Sequence, residues 1–315
     1  MSEIGQTRAR SAGRADPWIA GLLFALAASV SFASIPTLAR LAYDGGSDPL
    51  TLAFLRYLMG SLALVMMILI FRRPILLPRK AWPLTLLVTL SWFVTNVSYL
   101  AAIFYLPVGL ACLLLYCFPF VAALLVPLSG AGPLGGKRLG AVALGTLGLG
   151  LAVATVQLDL QGLVFALLAA AGATVTVLVS RRLVDLHDVF STTVYVNLGG
   201  ALLLAAALML LGGFSLPYAF TGWAGLVGAS AFYAVAIVVQ FAAMGLSCPA
   251  RLAPRLGLVS NAEPLLTIAI AALILGELLA PVQFLGALLL TVALVLLAWP
   301  SRAEAPGKVA TISRD

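Results

Sequence analysis

One carboxyl-bearing residue, Glu263, lies beside Pro264 within a long apolar segment near the end of the chain. A carboxyl group in apolar surroundings can exchange a proton or hold the cationic group of a bound solute. The adjacent proline lacks a backbone N–H donor and bends or breaks a helix. A bend of this kind allows one part of the helix to move relative to the other, as a gate requires. We therefore predict Glu263 as a coupling residue, and Pro264 and Pro119 as gating residues. A structural role for the carboxyl, as an acceptor for a neighbouring helix or an arginine, stays open.

Aromatic and amide side chains recur in two apolar segments at helical spacing. Trp92, Asn96 and Tyr99 follow the i, i+4, i+7 pattern that places side chains on one helix face. Tyr233 and Gln240 repeat this pattern in the second half of the chain. Two such stripes suit a cavity for a small amphipathic solute, with apolar walls and a few polar groups. Hydrogen bonding between packed helices is the alternative use of the same residues.

Three further polar residues lie in apolar segments: Arg56, Asn197 and Asn261. Arg56 can bind a substrate carboxylate, although its long stem can also reach the headgroups or pair with Asp48. We include all three among the predicted substrate-binding residues of the cavity. The single histidine, His187, lies in a loop, and no His, Cys or carboxylate cluster has the spacing of metal ligands. We therefore predict no metal, no cofactor and no catalytic residue.

The segments that carry these residues are long and apolar. The chain has 315 residues, of which 63% are hydrophobic and 9% are charged, whereas a soluble domain has about 25% charged residues. Its apolar runs of about twenty residues match the length of a helix that crosses the hydrocarbon core. We predict an all-α polytopic membrane protein with ten spans, at 18–40, 50–71, 82–106, 109–129, 138–155, 162–181, 191–212, 222–246, 256–275 and 281–299.

The charges predict the orientation of these spans. The net charge of +7 comes from Lys and Arg in the short loops of one side, as the positive-inside rule expects. The loops of the other side carry acidic residues instead: Asp44, Asp48 and Asp159. Only Arg40 and Arg56 depart from this distribution, near the outer ends of the first two spans. We expect a multi-pass inner (plasma) membrane protein with both termini cytoplasmic, in contact with the lipid bilayer and with no nucleic-acid partner.

The chain also resembles itself at an offset of 141 residues. Gly21 aligns with Gly162 and the residues after them match closely. The same offset aligns Arg56 with Asn197, Trp92 with Tyr233 and Tyr99 with Gln240. Because each half has five spans, the halves have opposite orientations, and such inverted repeats are typical of transporters with a central cavity. We divide the chain into an N-terminal tail (1–17), two five-helix repeats (18–156 and 157–300) and a C-terminal tail (301–315).

Several short motifs accompany this layout: Phe54-Leu55-Arg56-Tyr57, Tyr105-Leu106-Pro107, Phe118-Pro119-Phe120, Ser260-Asn261-Ala262-Glu263-Pro264 and Leu275-Gly276-Glu277. With the five-plus-five arrangement over residues 18–299, the chain resembles the EamA family of the drug/metabolite transporter (DMT) superfamily. The resemblance implies a ten-helix export carrier whose cavity is lined by spans 1–4 and 6–9. The first half departs from the family pattern at Ser129-Gly130-Ala131-Gly132, where a Gly-Glu pair is common, and the loop before span nine is long.

The function expected from these features is export of a small metabolite, such as an amino acid or an amphipathic drug-like solute, by alternating access. Proton coupling through Glu263 is a hypothesis. An importer or exchanger of nucleotide sugars would need several cations in the cavity, and only Arg56 is available within the central spans. A membrane enzyme acting on lipid would need a cluster of catalytic groups at one interface, and the sequence shows none. One chain can form a complete pathway, so either a monomer or a homodimer is compatible.

Overall fold

The protein is helical throughout the part of the chain that the structure describes. This computed structural model describes residues 17–72, 75–125, 127, 135–154, 159–184, 186, 188–246 and 261–299. These ranges contain no strand. The helices are α1 (Pro17–Asp44), α2 (Pro49–Phe71), α3 (Trp82–Tyr105), α4 (Val108–Leu115), α5 (Phe118–Leu125), α6 (Gly136–Val153), α7 (Leu160–Val184), α8 (Val189–Leu211), α9 (Phe220–Leu246), α10 (Glu263–Leu275) and α11 (Pro281–Ala298).

The all-α membrane fold and the count of ten spans are confirmed. Nine segments in the described ranges are long and apolar enough to cross a bilayer, with α4 and α5 together forming one of them. The tenth, α10, is a shorter apolar helix. It begins at Glu263, whereas span nine was predicted from residue 256; positions 256–260 lie outside the described residues. The predicted long loop at 247–255, the motif at 129–132, His187, positions 1–16 of the N-terminal tail and the C-terminal tail also lie outside them.

The fourth span is interrupted in its middle. Helix α4 ends at Leu115, Tyr116 and Cys117 form a turn, and α5 starts at Phe118. Pro119 explains where α4 ends, because its ring clashes with the carbonyl four residues earlier, which belongs to Leu115. The span predicted at 109–129 corresponds to Val108–Leu125, and the helix break within it lies next to Pro119. Pro264 lies in the first turn of α10, where a proline is tolerated. The gating role of both prolines stays a prediction.

The core lies between the two repeats. Helix α1 packs along α9, and α3 packs along α7, so each pair joins one helix from each half. The 141-residue offset relates α1 to α7 and α3 to α9, which makes the two pairs equivalent. Helix α1 ends near Gly45, whereas α7 begins on the same side of the bundle, with Gly162 against Leu106. Equivalent helices thus run in opposite directions, as inverted repeats require. Helices α6 and α11 pack on each other outside these pairs.

The two ends of the bundle differ in charge and in closure. At one end, here named the Asp48 end, the amide of Tyr218 donates to the Gly45 carbonyl at 2.9 Å, and the amide of Ser215 donates to Thr51 Oγ1 at 3.0 Å. Asp48 caps α2 there; burial opposes its ionisation, but hydrogen bonds outweigh this and lower its pKa below the ordinary value. The opposite end, the Arg181 end, carries cations at the described helix ends and turns: Arg72, Arg79, Lys80, Lys137, Arg138, Arg181 and Arg182.

Close backbone contact between α1 and α9 generates the first testable prediction. A Cβ on Gly225 would lie 2.5 Å from both the Ala42 nitrogen and the Leu38 carbonyl oxygen, so Gly225→Ala forces the two helices apart. We expect Gly225→Ala to lower the free energy of unfolding by about 1–3 kcal/mol. The matched control is Gly150→Ala on α6, where a Cβ meets nothing within 4 Å, and helix propensity favours Ala. Thermal unfolding in detergent measures both; equal melting temperatures for the two variants would contradict the packing argument.

Candidate functional site

A cavity of about 530 Å³ lies between the two repeats. It extends from the middle of the bundle, at Phe32 and Trp92, to the Arg181 end, where Val184 and Val189 flank the turn between α7 and α8. Its walls are mainly apolar, with a few hydroxyls, two amides and one carboxyl. The lining residues are Phe32, Val88, Trp92, Thr95, Leu115, Tyr116, Phe118, Ala173, Thr176, Val177, Ser180, Leu183, Val184, Val189, Thr192, Thr193, Val196, Asn197, Tyr233, Ile237, Gln240, Phe241 and Glu263.

Five of the residues predicted from the sequence line this cavity: Trp92, Asn197, Tyr233, Gln240 and Glu263. The aligned pair of Trp92 and Tyr233 therefore meets in one chamber, because α3 and α9 each face the interface between the repeats. The resemblance implied lining from spans 1–4, but α2 contributes none of these lining residues. The substrate-binding role of the five residues stays a prediction.

The other residues predicted to bind substrate are not among the described lining residues of the cavity. Asn96 is buried on α3, where its Nδ2 donates to the Trp92 carbonyl at 2.9 Å. Asn261 Nδ2 donates to the Leu294 carbonyl on α11 at 3.4 Å. This is hydrogen bonding between packed helices, the alternative to substrate binding. Tyr99 is half-buried and lies close to the Cys112 thiol. These placements show contacts with protein groups, whereas contact with a substrate is untested.

Arg56 is the centre of a buried polar network behind the wall. Only 6% of its surface is exposed, and its Nη2 donates to Asn96 Oδ1 at 3.2 Å. Its guanidinium carbon lies 4.6 Å from the centroid of the Tyr233 ring, a cation–π contact. The Tyr233 hydroxyl in turn donates to Asn197 Oδ1 at 3.0 Å. Arg56 and Asn197, which the repeat aligns with each other, are thus joined through Tyr233.

Glycines provide the space that this network requires. A Cβ on Gly60 would lie 2.7 Å from the Tyr233 ring and 3.0 Å from Asn197 Oδ1. Gly200 leaves similar room for the ring of Tyr57, whose hydroxyl donates to the Trp92 carbonyl at 3.3 Å. Two donors of Arg56, Nε and Nη1, are buried without a hydrogen-bond partner among the described residues. Tyr233 therefore forms a wall with an incompletely satisfied cation on one side and the cavity on the other.

Among the lining residues that the structure describes, Glu263 provides the single carboxyl. It is the first residue of α10, and the hydroxyl of Tyr116 lies within hydrogen-bonding reach of it. Tyr116 reaches this position because the chain turns there between α4 and α5. Tyr116 was not predicted from the sequence, although its place three residues before Pro119 marks it as part of a helix break. A carboxyl beside a phenol at the wall of an accessible cavity can bind a proton or a cationic group.

Four hydroxyl-bearing residues near the Arg181 end also line the cavity without having been predicted from the sequence: Thr176, Ser180, Thr192 and Thr193. Such residues are common in membrane helices because they bond to their own backbone, as Thr193 does to the Val189 carbonyl at 2.8 Å. The pattern therefore gave no signal for them. Within the described ranges, no three His, Cys, Asp or Glu side chains are grouped to hold a metal ion.

Comparison with known proteins agrees with this architecture. The model of the EamA-like transporter family matches residues 19–154 and 160–299. Eighteen chains of known structure match. One, described as "Crystal structure of protein", has 19% sequence identity and a TM-score of 0.61, with coverage of 88% of this chain and 96% of that chain. At this identity the likeness shows the fold alone. No curated protein matches.

The Arg56 network generates the second prediction. Asn96→Leu removes the amide that accepts from the buried guanidinium, and hydrogen bonds to charged groups contribute about 1.5–3 kcal/mol. We expect the variant to unfold at a clearly lower temperature than the parent chain in detergent. Gln240→Leu is the control, since this amide is exposed on the cavity wall, and its effect should stay within about 0.5 kcal/mol. A similar decrease of the unfolding temperature in both variants would argue against a special role of the Arg56–Asn96 bond.

Proposed function

Because this chain belongs to the EamA-like transporter family, and is therefore a membrane transporter of the DMT kind, we propose that it exports a small amphipathic metabolite by alternating access. The observation that carries this proposal is the cavity at the repeat interface. It is accessible from the Arg181 end, whereas the Asp48 end is closed by direct contacts between the halves. A carrier in this state takes up solute from one side only.

The charge distribution supports the direction of transport. Lys and Arg in the described loops are concentrated at the Arg181 end, and cytoplasmic loops carry such an excess. We therefore assign the Arg181 end to the cytoplasm and the Asp48 end to the outside of an inner membrane, with both termini cytoplasmic. The cavity then opens toward the cytoplasm, which is the loading state of an exporter.

The cavity chemistry supports the proposed class of solute. Its volume of about 530 Å³ lies within the range of about 300–1,000 Å³ that is usual for small-molecule sites. Aromatic walls at Trp92, Phe118 and Phe241 suit a flat or apolar body, and Asn197 and Gln240 offer hydrogen bonds. An amino acid or an amphipathic drug-like solute fits this description. One chain contains the whole cavity, so transport does not require a dimer.

Polyanionic substrates fit less well. The residues that line the cavity include no Lys or Arg within the described part of the chain. Arg56 is the cation within the described central spans, and it lies behind the ring of Tyr233. A nucleotide sugar would place its phosphates in an apolar chamber beside Glu263, which disfavours this alternative. A catalytic role toward lipid is also disfavoured, since the lining residues that the structure describes include no Cys, His or Lys.

Glu263 is the proposed coupling group. A carboxyl that faces a solute cavity within the membrane can release its proton when a cationic group binds and regain it from the opposite side. This exchange links proton entry to solute exit. The first step of the test is a thermal-shift panel of amino acids, purines, polyamines and cationic dyes with the purified chain, to find a solute that raises the melting temperature.

The third prediction concerns transport of that solute in proteoliposomes. An imposed pH gradient should accelerate transport by the parent chain, and Glu263→Gln should remove this acceleration, since Gln cannot exchange a proton. Asp44→Asn is the matched control because its carboxyl is exposed at the Asp48 end. It should retain the full response. Unchanged gradient-driven transport in Glu263→Gln would rule out the coupling role.

A further inference from the structure

A group of charged and backbone atoms joins three parts of the bundle at the Asp48 end. Arg40 on α1 donates from Nη2 to the Leu106 carbonyl at 2.7 Å and from Nη1 to the Phe104 carbonyl at 3.3 Å. Glu277, just after α10, accepts from the Val108 amide at 2.8 Å. Arg40 Nε and Glu277 Oε1 lie 3.8 Å apart. We name this set of contacts the Arg40–Glu277 clasp.

The clasp provides hydrogen-bond partners for backbone groups at the break between α3 and α4. Pro107 separates α3 from α4, which leaves free carbonyls at the end of α3 and a free amide at the start of α4. The cation lies at a helix C-terminus and the carboxylate at a helix N-terminus, so both charges match the helix dipoles. Leu106 and Val108 are both buried, and a buried backbone group without a partner is costly. Arg40 and Glu277 therefore hold the turn at residues 106–108 tightly.

The clasp also connects the two repeats. Arg40 and the turn belong to the first repeat, whereas Glu277 belongs to the second. The left-handed backbone of Gly276, with φ of 71°, ends α10 and directs the chain toward this contact. When the halves separate at the Asp48 end, as alternating access requires, the bond from Val108 and the pairing with Arg40 must break. The clasp is thus positioned to oppose opening at this end.

Comparison of the two repeats indicates that the clasp is one-sided, that is, present at the Asp48 end without an equivalent at the Arg181 end. Arg181 is the repeat equivalent of Arg40, and Ala131 aligns with Glu277 at the offset of 146 that relates Leu139 to Leu285. Alanine has no carboxylate, so the sequence provides no equivalent of the Glu277 contact for the Arg181 end. Position 131 lies outside the described residues, and its residue type is known from the sequence.

We propose that the Arg40–Glu277 clasp is the lock of the outer gate, and that its one-sidedness makes the state with a closed Asp48 end the resting state. The carrier then waits with its cavity open to the Arg181 end, and solute-driven movement breaks the clasp in each cycle. This inference rests on the proposed alternating access. It concerns residues outside the cavity lining and needs no knowledge of the solute.

The test uses two reporter cysteines in the full-length purified chain. Ser47→Cys is buried at the Asp48 end, with 4% of Ser47 exposed, and Ser180→Cys lines the cavity toward the Arg181 end. Labelling by a charged maleimide in detergent reports access to each end, and the parent chain gives the background of the native cysteines. Glu277→Gln or Arg40→Gln keeps hydrogen-bonding atoms but removes the charge that strengthens these contacts, and should speed labelling of Ser47→Cys about tenfold. Labelling of Ser180→Cys should stay level or fall.

Two controls separate a gate from general loosening. Arg181→Gln removes the equivalent arginine and should leave labelling of Ser47→Cys unchanged. The double variant Arg40→Gln/Glu277→Gln should label no faster than the faster single variant, since the two residues act as one unit. Unchanged labelling at Ser47→Cys, a parallel rise at both reporters, or an equal effect of Arg181→Gln would each overturn the proposal. Because no solute is present, such a failure leaves the proposed substrate class and the role of Glu263 standing.

Discussion

In a bilayer, every backbone N–H and carbonyl must find a partner within the protein, because the hydrocarbon core offers none. Continuous helices meet this requirement by themselves, but where a helix ends its backbone groups need other partners. Pro107 and Pro119 each end a helix in the first repeat. At the first break, Arg40 and Glu277 supply the missing partners. At the second, the turn bonds to itself, with the Tyr116 amide donating to the Cys112 carbonyl at 3.0 Å, and the Tyr116 side chain is directed toward Glu263.

Close packing of the repeats fixes where these breaks lie relative to the cavity. Gly225 allows α9 to approach the backbone of α1, and Gly172 allows α7 to approach Ser91 and Thr95 on α3. Such contacts leave no room for a solute. Where larger side chains such as Trp92 replace small ones, the helices are held apart and a chamber forms. The two helix pairs, each with one helix from either repeat, therefore form two rigid units with the chamber between them, an arrangement that suits rocking of one pair against the other.

The sequence predicted the spans well because bilayer thickness imposes a length that composition reveals. It also predicted that Trp92 and Tyr233 belong to equivalent places, since the repeat aligns them, and both line the chamber. It did not predict that Asn96, on the same stripe, turns to Arg56 instead. Helical spacing places residues on one face but does not say which neighbour that face meets at each turn. Tyr116 was missed for a related reason, because its direction depends on the break and not on a helical period.

Two arginines departed from the positive-inside distribution, and the structure treats them differently. Arg40 pairs with carbonyls and a carboxylate near the surface, so its charge is compensated by groups that hold the gate. Arg56 lies deeper, against the ring of Tyr233, with a single hydrogen bond to Asn96 and two donors unfilled among the described residues. A buried cation with unfilled donors is costly unless another group reaches it. Tyr233 supplies part of this compensation through the face of its ring, and the same ring separates Arg56 from the chamber. One side chain therefore both stabilises the buried cation and keeps its charge out of the cavity wall, whose described lining residues include Glu263 but no Lys or Arg.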